Sequence, residues 1–150
     1  MPVRQALHAV SRGHFISKKT GIPWTTQYHN HKYIAETHHQ ASCLIGSSIC
    51  GGFENYPQIW KNNFKGWLNQ GIGGDRAQHI LWRVLNNSLP QNAKNVIIIA
   101  GGNNLNNDPP TEIADAVINI AQSAQSKCQM ARPKKIICVV PVTRPTRFNL

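Results

Sequence analysis

The sequence predicts an α/β protein with a parallel sheet, on three grounds. Short strand-like segments recur at residues 42–45, 68–71, 95–100 and 135–140. Amphipathic segments with helical spacing separate them. Glycine-bearing blocks close the first three, where a strand must turn into the next helix. Strand and helix in alternation is the pattern of parallel strands joined by helical crossovers.

Taken in order, Ser42-Cys43-Leu44-Ile45 reads as a buried strand, with Gly46 opening the turn. Ile59, Trp60 and Phe64 are spaced for one face of a helix over 56–64. Leu68-Asn69-Gln70-Gly71 is a short second strand. Asp75 is placed to cap a helix whose apolar stripe is Ala77, Ile80, Leu81, Val84 and Leu85. The stretch Asn95-Val96-Ile97-Ile98-Ile99-Ala100 is apolar on both faces, as a central parallel strand must be. Asp108-Pro109-Pro110-Thr111 starts the next helix, with proline in the first turn, where its missing N–H costs nothing. Ile113, Val117, Ile120, Ala121 and Ala124 supply the core face of that helix. Residues 135–140 form a fourth strand, closed by Pro141.

The chain divides into two parts. Residues 1–40 hold six of the seven histidines and many amides and hydroxyls. They read as a polar, partly disordered leader, with one amphipathic turn over 24–34 packing on the domain formed by 41–150. His29-x-His31 and His38-His39 raise the question of a metal site. Without a matching set of Cys, Asp or Glu, the reading is a solvated His-rich stretch and no metal.

A chain of 150 residues is one domain's worth and can bury a core. No apolar run approaches the ~20 residues of a membrane span. The start, Met1-Pro2-Val3-Arg4-Gln5, lacks the apolar core of a signal peptide, so an intracellular, cytoplasmic setting is expected. Cys43, Cys50, Cys128 and Cys138 show no C-x-x-C spacing, and buried free thiols are expected. A formal net charge of +10 raises nucleic acid as a partner. The basic residues are spread from Arg4 to Arg147 rather than clustered, which implies a weak preference for anionic partners.

Three blocks carry the chemistry: Ile45-Gly46-Ser47-Ser48-Ile49, Gly71-Ile72-Gly73-Gly74-Asp75 and Gly101-Gly102-Asn103-Asn104. Active sites of open parallel sheets collect beyond the carboxyl ends of the strands. There the blocks would bring together a serine hydroxyl, bare backbone N–H groups and a carboxamide, the groups needed to attack an acyl carbon and hold its oxyanion. Each block also has a plainer reading. Ser48 could be a turn serine capping the next helix, Gly74 a tight turn needing positive φ, and Asn103 part of an asparagine-rich loop. The second block is not a dinucleotide fingerprint, because Arg76 stands at the third glycine and no acidic residue follows at the ribose-binding distance.

In order and spacing the three blocks resemble the SGNH hydrolases, a family of serine esterases and lipases. The likeness is strongest to the branch containing the catalytic subunits of intracellular platelet-activating-factor acetylhydrolase. It runs from about Cys43 to Pro141 and includes the stretch from Asp75 to Arg83. The resemblance implies a three-layer αβα, flavodoxin-like fold of five parallel strands, of which four are recognisable, so that the last strand and helix are lacking. It implies Ser48 as nucleophile, with Gly74 N–H and the Asn103 side chain as oxyanion donors, a small ester as substrate and no cofactor. Ser47 stands where the family has an aspartate, and Asn104 where most members have one. Only His79 follows Ser48, inside a helix where the family has a structural histidine, and the family's Asp-x-x-His block is absent. The expected function is a fragment or shortened form of a serine ester hydrolase with low activity. The alternative is a non-catalytic basic α/β module binding an anionic partner such as nucleic acid.

Overall fold

A computed structural model describes residues 8–128 and 135–139. Its elements are α1 (Trp24–Thr37), β1 (Cys43–Gly46), α2 (Ser48–Gly51), α3 (Pro57–Asn63), β2 (Leu68–Gly71), α4 (Ala77–Leu85), β3 (Asn95–Ile99), α5 (Pro110–Lys127) and β4 (Lys135–Val139), with short 3-10 turns at Gly52–Asn55 and Gly102–Asn104. All strand pairs are parallel, and the order across the sheet is β2-β1-β3-β4. Leaving β1, the chain goes first to one side of the sheet and later to the other, so its carboxyl end faces the crevice where such folds bind ligands. The fold is the α/β, flavodoxin-like arrangement expected from the alternation of elements.

Strands β1 and β3 are short and apolar because both of their faces are covered. Cys43, Ile45, Val96 and Ile98 pack with Ile80, Leu81 and Val84 of α4 and Val117, Ile120 and Ala124 of α5. On the opposite face Leu44, Ile97 and Ile99 meet Cys50, Phe53 and Trp60. The proline predicted to open α5 stands in its first turn, after Pro109.

Three details differ from the sequence reading. Leu85 and Ile59 face outward, at 40% and 49% exposure, because α4 ends as it leaves the sheet and the short α3 seats only Trp60. Cys138, on the edge strand β4, is exposed, while the other three thiols are buried. Pro141 and residue 140 lie outside the described residues.

The amphipathic turn over 24–34 is a fourteen-residue helix, α1. Its composition is polar, but Trp24, Tyr28 and Ala35 fall on one face and are buried. Trp24 stacks on Tyr28 at 5.7 Å, and Tyr28 meets Trp82 of α4 edge-on at 4.9 Å. The Tyr28 hydroxyl donates to the Asn86 carbonyl at 2.8 Å, tying α1 to the end of α4. Among the described residues no three His, Cys, Asp or Glu side chains converge as metal ligands, and no helix is long and apolar enough to cross a membrane.

Candidate active site

The register sets Gly46, the last residue of β1, level with Gly71 of β2 and Ile99 of β3. Helix α2 starts two residues later and folds back over these strand ends. A Cβ at Gly46 would collide with the Ile99 carbonyl and with Cys50 Sγ. At Gly71 it would collide with the Gly51 nitrogen and Cys50 Cβ. Both glycines are therefore required by close approach, and together they seat α2.

That seating fixes Ser48. Ser47 is buried, whereas Ser48 is exposed as the first residue of α2. Neither side chain caps the helix. The Ser48 hydroxyl bonds no described residue, so the plain reading as a capping serine does not describe it. A Cβ placed at Gly73 would lie 4.0 Å from Ser48 Cβ, which brings the second block beside the first. Gly74 has φ of 79°, so its turn does require glycine.

Asp75 does not cap α4. Arg76 holds that position, and its N–H donates to His79 Nδ1 at 2.9 Å. Asp75 is instead buried at the centre of a network. Its Oδ1 accepts from Trp24 Nε1 at 2.8 Å and from Arg12 at 3.1 Å, and its Oδ2 from Arg83 Nε at 2.9 Å. The carboxylate turns inward because three donors, from three separate elements, meet there.

Asn103 is exposed in the turn after β3, which begins at Gly101 with φ of 98°. Its Nδ2 donates to the Asp75 carbonyl at 2.9 Å. The amide still has a second N–H, and the residue stands against the loop that carries Gly74. Asn104, its neighbour, is fully buried. Its Oδ1 accepts the Ala77 N–H at 2.8 Å, and its Nδ2 donates to Gln78 Oε1 and Asp108 Oδ2. The two adjacent asparagines thus divide the work: one faces solvent and one caps α4 from across the sheet.

Arg83 is the deepest charge. It has no exposed surface, and besides Asp75 it donates to the carbonyls of Gln70 at 2.7 Å and Gly46 at 2.8 Å. One guanidinium therefore holds the ends of both β1 and β2. Burial, then the charges of Arg12, Arg76, Arg83 and His14, lower the His79 pKa to about 3. Its Nδ1 is already accepting a backbone N–H, so it is a structural histidine and a poor general base. Burial pushes the Cys50 thiol up to about 12, which keeps it protonated and unreactive.

The structure thus gathers all three sequence blocks at the carboxyl end of the sheet. The sequence reading named Asp75 as a cap, Asn104 as a block residue and Arg83 within a family-like stretch, but it missed the buried network they form and the part Arg12 takes in it. Arg83 left a trace, since it stands three residues after Ile80, on the edge of the apolar stripe of α4.

No family model matches the chain. Over 111 residues it is 27% identical to the alpha2 subunit of platelet-activating factor acetylhydrolase IB from Homo sapiens and from Rattus norvegicus, covering 73% of this chain and 48% of each relative. The alpha1 subunit from Bos taurus is 26% identical over 107 residues, covering 69% and 46%. The chain is similar to these acetylhydrolase IB alpha subunits over about seven-tenths of its length. It spans about half the length of these curated relatives, 48% for alpha2. The acetylhydrolase likeness and the parallel sheet agree on the α/β fold.

Proposed function

We propose that this chain carries the nucleophilic and oxyanion-binding half of a serine ester hydrolase of the SGNH type. Ser48 Oγ attacks the ester carbonyl. The N–H groups of Ser48 and Gly74 and the second N–H of Asn103 Nδ2 receive the developing oxyanion. A histidine base, supplied from outside these residues, takes the Ser48 proton and passes it to the departing alcohol as the ester bond breaks, and water then hydrolyses the acyl-serine to release the acid. The observation that carries the reading is the approach of Gly73 to Ser48 at the strand ends, with Asn103 bonded to the next residue but one, Asp75. The acetylhydrolase relatives support the same class of reaction.

No Asp-x-x-His stretch occurs in the 150 residues, and His79 is committed to its backbone bond. The chain alone therefore turns over esters feebly, because losing a triad member leaves only about 10³–10⁴-fold over water. The test measures hydrolysis of short p-nitrophenyl esters by the chain and by the same chain joined to an SGNH C-terminal segment carrying Asp-x-x-His. The chimera is expected to gain several orders of magnitude, and Ser48→Ala to abolish that gain. A folded, active chimera indifferent to Ser48→Ala would overturn the assignment and favour the basic binding module.

A further inference from the structure

The peptide that joins Gly73 to Gly74 is gripped from one side. Arg12 Nη1 donates to the Gly73 carbonyl at 3.2 Å and to Asp75 Oδ1 at 3.1 Å. Its guanidinium lies over the Phe15 ring, 3.7 Å from the centroid, which gives it a preferred orientation. The segment that brings Arg12 here is tied down on either side of it. The Val10 N–H donates to the Gln78 carbonyl at 3.1 Å, and Trp24 Nε1 donates to Asp75 Oδ1 at 2.8 Å. In a trans peptide the carbonyl and the N–H point in opposite directions, so the Gly74 N–H faces away from Arg12.

The turn has two forms open to it, and they differ in this peptide. The Asp75 N–H donates to the Ile72 carbonyl at 3.3 Å, closing a four-residue turn. Of its two central residues only Gly74 has positive φ, 79°, the mark of type II. In type I the same bond closes the turn, but Gly74 takes negative φ and the Gly73–Gly74 peptide is turned over. Glycine adopts either sign of φ about equally, so neither central residue chooses between the forms. The closing bond does not choose either, since both forms make it. Arg12 does, because the Gly73 carbonyl faces Nη1 in the type II form and is turned away from it in type I. A charged donor makes that bond roughly twice as strong as a neutral one.

We propose that Arg12 is a positioning residue that latches the Gly73–Gly74 peptide in its type II orientation and so aims the Gly74 N–H at the oxyanion. The latch is a property of the turn by itself, whereas its effect on rate rests on the ester-hydrolase reading. By drawing on the carbonyl, the guanidinium also polarises the peptide and makes its N–H the stronger donor. The readiness of the site is then set by a segment outside the three blocks.

The experiment follows the Gly74 N–H of the full chain by ¹H–¹⁵N residual dipolar coupling, alongside ester hydrolysis by the histidine-bearing chimera. Wild type is expected to hold one orientation, that of type II. Arg12→Gln should turn the Gly74 vector or spread it over two orientations, while the amides of β1 and β3 keep theirs. In the chimera kcat should fall about tenfold, short of the ~10²–10³ lost when an oxyanion donor is removed outright. KM should move less than about threefold, because the contact acts in the transition state. Arg12→Lys, which keeps a charged donor able to reach both oxygens, should restore one orientation and most of the rate. An unchanged Gly74 vector in folded Arg12→Gln, or a loss confined to KM, would overturn the latch. Should Arg12→Gln lose its folded spectrum, the wild-type chain decides. A coupling carried across the hydrogen bond between Arg12 ¹⁵Nη1 and Gly73 ¹³C′ upholds the latch, and a Gly74 N–H that keeps its orientation without that coupling overturns it. A chimera indifferent to Ser48→Ala would remove the ester reading and leave the orientation measurement to judge the latch.

Discussion

Arg83 and Asp75 form a fully buried ion pair, Nε to Oδ2 at 2.9 Å, and the rest of the site is arranged around it. Arg83 binds the carbonyls of Gly46, the last residue of β1, and of Gln70, one residue before the end of β2, while Asp75 binds Trp24, Arg12 and, through its own carbonyl, Asn103. Burying two charges is costly, and good geometry with further hydrogen bonds is what offsets the loss of water. The pair therefore serves position more than stability: it fixes where the strands end and where the Gly73–Asp75 turn sits.

Breaking that pair from one side leaves a buried, uncompensated charge. Asp75→Asn is expected to cost about 3–5 kcal/mol in urea denaturation. A loss under about 1 kcal/mol, the usual value of an exposed pair, would mean that water reaches Arg83 in solution.

Helix α1 is expected to be part of the cooperative fold. Trp24→Ala should cost about 3–5 kcal/mol, the usual effect of emptying a buried aromatic site. Trp24→Phe keeps the ring and removes the bond to Asp75, so a smaller loss of about 1.5–3 kcal/mol is expected. Equal stability of all three proteins would show that α1 is not docked.

The glycine of the second block supports a sharper expectation. Gly74→Ala forces a side chain into positive φ, at about 1–2 kcal/mol, and presses on Arg12. The chain should stay folded but lose the ester-hydrolysis gain of the histidine-bearing chimera. Full activity in Gly74→Ala, which keeps the backbone N–H, would show that the site tolerates a side chain at this positive-φ turn.

Two histidines make stability depend on acid. Burial lowers the pKa of both His31 and His79 to about 3, helped by Arg83 at the first and by Arg12, Arg76, Arg83 and His14 at the second. The unfolded chain takes up these protons near pH 6.5, while the folded chain refuses them until about pH 3. Between those limits the unfolded state binds more protons, so stability is full above about pH 6.5 and falls as pH falls. His31 contributes up to about 1.4 kcal/mol per pH unit, and the more exposed His79 less. Thermal midpoints measured from pH 7 to pH 4 should decline, and His79→Gln, which keeps an acceptor for the Arg76 N–H, should flatten the slope. A flat wild-type profile would contradict the burial of both rings.

The sequence determined the elements and the blocks between them. Its apolar runs have the period and length of strands covered on both faces, its helical stripes repeat at the right spacing, and proline and glycine mark the turns. Those signals are local, so they survive in a single chain read without neighbours. The level alignment of Gly46, Gly71 and Ile99 was not local, and neither was the inward turn of Asp75. An aspartate before a helix looks like a cap until three donors from distant segments compete for it. Asn104 looked like one more loop amide until the fold placed the Ala77 N–H beside it. Trp24 and Arg12 sat in a polar stretch with little apolar periodicity, and a few anchoring contacts rather than a pattern tie that stretch to the domain. Spacing in the sequence selects which groups can meet at a strand end. Which of them do meet, and which way each carboxylate and amide faces, is decided by the tertiary competition for buried donors and acceptors.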